Sequence, residues 1–181
     1  MKFTVRAACL ALTAGLSGCQ SAPVAFAPPE QRPHFEEWQE QPDLTTLVDV
    51  GDASGRARFH IVQDIDQTVN PGGWSWTGRR PTVKIRLGDN TNLKFTMDFA
   101  VAAQTFKDTG PVTLSFFVND HLLDRVRYAN PGQKHFEKPV PRQWLTSGME
   151  LTLATEIDKV WVSKDDGTRF GFILVRMGLA P

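Results

Sequence analysis

Cysteine is scarce: the 181 residues hold only Cys9 and Cys19. Tyrosine is scarcer still, with Tyr128 alone. Charge of one sign is missing too, because 20 basic residues face 20 acidic ones. That balance excludes a general nucleic-acid binder, whose footprint is a strongly basic face. Long apolar runs are also lacking. The longest, residues 7–16, is too short for a bilayer core, which needs ~20 residues. Beyond it, Lys, Arg or Asp interrupts every apolar stretch. The four histidines, His34, His60, His121 and His135, form neither H-x-H nor H-E-x-x-H, so the spacing offers no zinc ligand set.

Other residue types are plentiful. Twelve prolines, 14 glycines, 12 phenylalanines and five tryptophans favour short strands and turns over long helices. Hydrophobic residues at 41% and charged residues at 22% exclude compositional disorder.

The chain opens with Lys2 and Arg6, followed by the small and apolar run 7–16. A charged segment before a short apolar segment is a secretory signal. Leu16-Ser17-Gly18-Cys19 follows directly. This tetrapeptide resembles the bacterial lipobox: an apolar residue, two small residues and a cysteine. The resemblance implies that residues 1–18 are removed and that Cys19 is lipidated through its thiol. A competing site for ordinary signal peptidase, Ala25-Phe26-Ala27, ends eleven residues past Leu16, which is far for such a site. Cleavage before Cys19 leaves 18 basic against 20 acidic groups, and Cys19 as the lone cysteine. No internal disulfide can then form. Gln20, rather than Asp, implies by the same resemblance an outer-membrane destination. Two or more acyl chains, at ~0.8 kcal/mol per buried methylene, anchor a protein stably.

Residues 19–43 contain Pro23, Pro28, Pro29, Pro33 and Pro42. This composition predicts an extended, semi-rigid tether, with a short helical turn at Phe35-Glu36-Glu37-Trp38. From residue 44 to 181 the hydrophobic period is two. Val83, Ile85 and Leu87 alternate with Lys84 and Arg86. Leu93, Phe95, Met97, Phe99 and Val101 form a second series, and Leu151, Leu153, Thr155 and Ile157 a third. Such alternation predicts antiparallel strands with one wet face. Segments 112–118, 160–162 and 170–177 are apolar on both faces and are expected as central strands. Asn119-Asp120 predicts a tight hairpin, since both residues tolerate positive φ. Asn130-Pro131-Gly132, Thr109-Gly110-Pro111 and Asp165-Asp166-Gly167 mark further turns. Pro141-Arg142-Gln143-Trp144-Leu145 is the one expected helical turn, and no helical run separates the strands. About nine or ten short strands in this rhythm predict an all-β, antiparallel β-sandwich of jelly-roll type.

Two stretches carry a closer likeness. One is Gly73-Trp74-Ser75-Trp76-Thr77-Gly78, leading into Pro81-Thr82-Val83-Lys84-Ile85-Arg86-Leu87. The other runs from Gly110-Pro111-Val112-Thr113-Leu114 through Phe117-Val118-Asn119-Asp120 to His121-Leu122-Leu123. It ends at Lys138-Pro139-Val140-Pro141 and Leu145. Together they resemble galactose-binding-like β-sandwich domains over roughly residues 55–178. Asn119-Asp120 stands where such domains usually have Asn-Gly. The resemblance implies sugar ligands held by loops at one end of the sandwich, and it transfers no ligand motif to particular residues.

Candidate chemistry is sparse. Gly51-Asp52-Ala53-Ser54-Gly55 lacks the spacing of a serine-hydrolase elbow and reads as a turn. Asp64 and Asp66 share a strand face, with Asn70 nearby, but in the wrong order for a calcium loop. No pair of carboxyls stands out for glycosidase chemistry. The aromatics are the best remaining signal. Trp74 and Trp76 share a strand face, and Arg79 and Arg80 follow. Packed inward, the two tryptophans are core; turned outward beside guanidinium groups, they form a platform for sugar rings. Trp161, inside an apolar run, is expected in the core. Tyr128, beside the Asn130-Pro131-Gly132 turn, is a candidate for a loop-facing hydrogen bond.

The sequence therefore predicts a non-catalytic, lipid-anchored envelope protein without cofactor or metal. Its partners are the membrane and a glycan, with Trp74, Trp76, Arg79, Arg80 and Tyr128 as candidate ligand residues. The alternative is an assembly protein that docks another envelope protein through its sandwich. In a bacterial host, labelled palmitate should enter the protein, and Cys19→Ser should lose both label and membrane association. A wild-type chain that takes up no label would contradict the lipobox.

Overall fold

The computed structural model describes residues 46–88 and 92–181. Cys19, the tether and the turn at Phe35–Trp38 lie outside the described residues. Among the described residues eleven strands occur: β1 (Leu47–Asp49), β2 (Ile61–Ile65), β3 (Ser75–Arg86), β4 (Lys94–Val101), β5 (Val112–Val118) and β6 (His121–Tyr128), then β7 (Gly132–Pro139), β8 (Glu150–Ile157), β9 (Trp161–Val162), β10 (Arg169–Phe170) and β11 (Ile173–Ala180). Their order is β6-β5-β8-β3-β11-β4-β7, with β1 added on β11 and β2 on β3; β9 and β10 form a separate ribbon. Every pairing is antiparallel.

The sheet folds into two layers. One holds β1, β11, β4, β7 and the start of β3; the other holds β2, the rest of β3, β8, β5 and β6. Successive strands β3, β4 and β5 alternate between layers, as do β6, β7 and β8. This is the jelly-roll habit of an antiparallel β-sandwich.

The core follows the alternation. Val83, Ile85, Phe95, Met97, Leu151 and Leu153 are all buried, while Lys84 and Arg86 face water. The layers meet through aromatic rings. Phe116 of β5 stacks on Phe136 of β7 with ring centroids 3.5 Å apart, and Phe95 meets both rings edge-on. Asn119 and Asp120 both have positive φ, 47° and 63°, which is the hairpin geometry their side chains tolerate.

Four expectations are corrected. Segment 160–162 is not a central strand, because only Trp161 and Val162 pair, and they pair with the short β10. Asp158 and Lys159 have already turned the chain away, with Asp158 Oδ1 accepting the Thr113 N–H. Trp161 is accordingly half-buried rather than core, and its indole N–H donates to Asp108 Oδ2 at 2.6 Å. Segment 170–177 is interrupted at Gly171-Phe172, so only its second part is the central strand β11. Finally, a helix, α1 (Ala103–Thr109), lies between β4 and β5. Its Ala103, Gln104 and Lys107 are good helix formers, which the neighbouring strands, rich in β-branched and aromatic residues, mostly lack. Gly110, at φ 67°, ends it, so the Gly-Pro pair is a helix stop. The turn at Arg142–Trp144 is a short 3-10 helix, as expected from its proline, and a second, unexpected one spans Arg56–Phe59. Among the described residues no helix is long and apolar enough to cross a membrane.

The strand β3 belongs to both layers, and its crossing point is tightly packed. The Thr77 hydroxyl donates to the Phe172 carbonyl at 2.8 Å and accepts the Phe172 N–H at 3.0 Å. Gly171 N–H donates to Thr77 O at 2.7 Å. A methyl group at position 171 would sit 2.2 Å from the Gly78 carbonyl oxygen. Backbone, not a yielding side chain, is the obstacle. Gly171→Ala is expected to cost roughly 1–3 kcal/mol or more, as overpacking does, and to lower the thermal midpoint measurably by calorimetry. An unchanged midpoint would contradict this packing.

Candidate functional site

Ser75 and Thr77 are buried, so Trp74 and Trp76 project from the other side of the chain and are half-exposed. Both expected positions, core and open platform, are therefore replaced by an intermediate one. Trp74 is set by the turn before it. Asn70 N–H donates to the Trp74 carbonyl at 2.9 Å, and Gly73 N–H to Asn70 O at 3.1 Å. Gly72 and Gly73 take φ of 101° and 74°, values that L side chains rarely adopt. The turn rests on Gly51, where an added Cβ would lie 2.6 Å from Gly73 Cα.

Trp74 borders a cleft of about 720 Å³ on the outer face of the first layer. Strand register builds its floor. Gln133, Ala100 and Ile173 lie abreast across β7, β4 and β11. One step along the same face, His135, Asp98 and Arg176 lie abreast in the same way. The short Ala100 side chain leaves a recess between longer neighbours. Its polar edge is organised by Asp98, whose Oδ1 lies 2.6 Å from His135 Nδ1 and whose Oδ2 accepts the Arg176 Nε–H. His135 Nε2 lies 3.9 Å from Glu137, which pairs with Lys94 at 2.8 Å.

Partial burial raises the Asp98 carboxyl pKa, but the hydrogen bonds from His135 and Arg176 outweigh it, so the group sits below the usual aspartate range. Asp98 is thus held as an anion that keeps the imidazole and guanidinium in place.

Arg79 and Arg80 do not join the tryptophans. Between them, at Gly78, β3 passes into the second layer. Arg80 lies over the Phe117 ring at 4.8 Å and pairs with Asp120 at 2.6 Å. Arg79 Nε is 3.7 Å from Glu156. Both arginines therefore serve the opposite face. Trp76 packs against Phe170, with centroids 4.9 Å apart, and against Trp74 edge-on at 5.9 Å. It supports Trp74 rather than lining the cleft. Tyr128 packs edge-on to Phe99 at 5.2 Å. Burial, with a smaller contribution from the Asp124 charge, pushes its hydroxyl up to about 12.

The remaining polar candidates are occupied locally. Asp64 Oδ2 accepts the Arg80 N–H at 2.8 Å, and Asp66 Oδ1 accepts the Thr68 N–H at 2.8 Å, so the two carboxylates do not converge. Ser54 Oγ bonds to Asp52 within its turn. His60 Nδ1 sits 3.0 Å from the Lys84 carbonyl, and His121 stacks on Trp144. Among the described residues no three His, Cys, Asp or Glu side chains gather as metal ligands.

Asp98, Ala100, Gln133 and His135 were not singled out by sequence. Alternation alone places Asp98 and Ala100 outward on β4. Only the β4–β7 register reveals that His135 and Gln133 stand beside them.

No protein-family model matches the chain, and no curated protein matches it. Among solved structures, it is similar to the CBM36-1 domain of a multidomain xylanase from the hindgut metagenome of Trinervitermes trinervoides. That likeness has 12% identity and a TM-score of 0.40, covering 75% of this chain and 98% of that one. A family 35 carbohydrate binding module from an environmental isolate is similar at 11% identity and TM-score 0.39, covering 67% of this chain and 84% of that one. CBM35 from Paenibacillus barcinonensis is similar at 14% identity and TM-score 0.37, covering 67% of this chain and 91% of that one. These likenesses concern fold alone.

The lowered Asp98 pKa sets a pH dependence. A carboxyl lower in the folded than in the unfolded chain stabilises fully above the unfolded value of about 3.9, and that stabilisation is lost as pH falls through the folded value. Asp98→Asn should therefore reduce the drop in urea midpoint between neutral pH and about pH 3. An identical drop in both proteins would contradict the Asp98 network.

Proposed function

We propose that this protein is a non-catalytic, lipid-anchored component of the bacterial envelope that binds a glycan in the Trp74 cleft. One observation carries the reading: an indole ring borders a recess floored by Ala100 and edged by Asp98, His135 and Gln133. A sugar ring has the matching chemistry. Its C–H face packs on an aromatic ring, and its hydroxyls donate to carboxylate and amide oxygens. Clefts with apolar walls and a few fixed polar groups are the usual form of small-ligand sites. Asp98, anchored from two sides, loses little freedom when it accepts a hydroxyl, which favours affinity.

The lipobox reading of Cys19 supplies the address, and the proline-rich segment after it supplies the reach. Anchored this way, the domain meets envelope polysaccharide at high local concentration. A weak cleft is then enough, because tethering raises effective concentration.

Full-length protein should bind at least one member of a panel of envelope oligosaccharides saturably. Trp74→Ala should weaken that binding about tenfold or more, since a lost aromatic contact is worth ~1.5 kcal/mol. Circular dichroism should show the variant folded. Absence of saturable binding across the panel, or full binding by Trp74→Ala, would contradict the proposal. The first outcome would pass the role to docking of an envelope protein.

A further inference from the structure

Aromatic side chains continue past the Trp74 cleft. Ile173, in its floor, pairs in register with Ala100 on one side and with Trp76 on the other. Gln133, Ala100, Ile173 and Trp76 therefore form one row across β7, β4, β11 and β3. The row lies on the outer face of the first layer, and Trp76 stands at its end, just beyond the cleft. From there the rings carry on. Phe170 lies 4.9 Å from Trp76, and Trp161 lies 5.9 Å from Phe170. Phe170 and Trp161 oppose each other across the β9–β10 ribbon, so they share one of its faces. All three rings are half-exposed. The last one is fixed in place, because its indole N–H donates to Asp108 Oδ2 of α1 at 2.6 Å. Lys159 secures the base of the ribbon to the end of that helix, donating to the Thr109 and Pro111 carbonyls at 3.0 and 2.8 Å. An indole whose N–H is already paired offers its ring with no polar group left to satisfy.

The length of this series decides what it fits. Neighbouring strands lie ~4.8 Å apart, so the row alone measures ~14 Å, and the two further rings extend it to at most ~25 Å. One sugar ring, about the size of an aromatic side chain, covers a fraction of that track. An exposed apolar strip of this length marks an interaction surface. The opposite face has a cleft too, of about 420 Å³, where Ser115 lies between Arg125 and Glu156. Its groups are engaged within the protein. Arg125 Nε–H donates to Ser115 Oγ at 3.1 Å, and Glu156 leans toward Arg79 and Arg80 at 3.7 and 3.8 Å. It has no series of rings, and it serves as the control face.

We propose that the site takes a linear, β-linked glycan chain rather than a single sugar, laid from Gln133 past Trp74 and Trp76 to Trp161. This rests on the saccharide reading of the Trp74 cleft and extends it to Phe170 and Trp161. Equatorial linkages keep such a chain extended, so successive units bring a C–H face to successive rings. The ring planes turn from one contact to the next, by 86° between Trp74 and Trp76, 61° between Trp76 and Phe170, and 36° between Phe170 and Trp161. Coplanar rings would match the flat face of a crystalline polysaccharide. Turned rings match a single chain that twists along its length.

The probes are two soluble series, cello-oligosaccharides and chito-oligosaccharides from monomer to hexamer, titrated calorimetrically into full-length protein. In at least one series the hexamer should bind about tenfold more tightly than the dimer, the gain expected from one or two added ring contacts. Trp161→Ala should remove most of that gain and leave dimer affinity unchanged, which also reports an intact Trp74 cleft. Trp161→Phe keeps a ring and loses the Asp108 bond, and its hexamer affinity should fall between the two. Arg125→Gln, on the control face, should change neither. If Trp161→Ala does not fold by circular dichroism, the wild-type length series and Trp161→Phe carry the test. Equal affinity for dimer and hexamer would overturn the proposal and leave the Trp74 reading standing. Equal loss of dimer and hexamer binding in Trp161→Ala would do the same, by making Trp161 a support of the cleft. No binding in either series would overturn it as well, and the separate panel of envelope oligosaccharides with Trp74→Ala would then decide the cleft reading by itself.

Discussion

The passage of β3 from one layer to the other is the constraint on which this structure depends. Twelve residues, Ser75–Arg86, serve two sheets. The transfer is held by a buried hydroxyl, Thr77, bonded twice to Phe172, and by a backbone approach that only glycine at 171 permits. A buried hydroxyl left without partners is costly, so Thr77 and Phe172 fix each other. Gly78 has its own obligation, because a Cβ there would lie 2.8 Å from Asp64 Cγ. Asp64 in turn accepts the Arg80 N–H. The crossing thus decides where every neighbouring side chain goes.

Both clefts follow from it. Residues before the crossing, Trp74 and Trp76, face the outside of the layer formed by β11, β4 and β7. Residues after it, Arg79 and Arg80, face the outside of the layer formed by β8, β5 and β6. Each face then has the same construction, a short side chain in a central strand between longer ones: Ala100 in one, Ser115 in the other. The chemistry differs because one recess borders an indole ring and the other lies under an arginine. A single strand thereby equips one small domain with two separate surfaces.

The alternation of β3, β4 and β8 was legible because period-two patterning is local. So were the Asn119-Asp120 hairpin and the Arg142–Trp144 turn, whose residues announce their own backbone geometry. What alternation cannot carry is the crossing. Trp74, Trp76, Arg79 and Arg80 look like one cluster in sequence, and Gly78 gives no warning that the strand changes sheets. Helix α1 was missed because Gly110-Pro111 serves equally as a loop and as a helix stop. Trp161 was misplaced because two flanking valines imitate a core strand, whereas Asp158 and Lys159 had already left the sheet. Of the cleft residues, Trp74 was visible as an aromatic beside glycines. Asp98 and His135 are 37 positions apart and meet only through strand register.

The proposed function places saccharide recognition on the Trp74 face. Amide and indole chemical shifts of the isotopically labelled protein, followed as an envelope oligosaccharide mixture is added, test it most directly. Binding there should move the Trp74 indole N–H together with the amides of Ala100, Gln133 and His135. The amides of Ser115 and Arg125 should stay still. Shifts confined to the Ser115 face, or a spectrum that does not move at all, would contradict it.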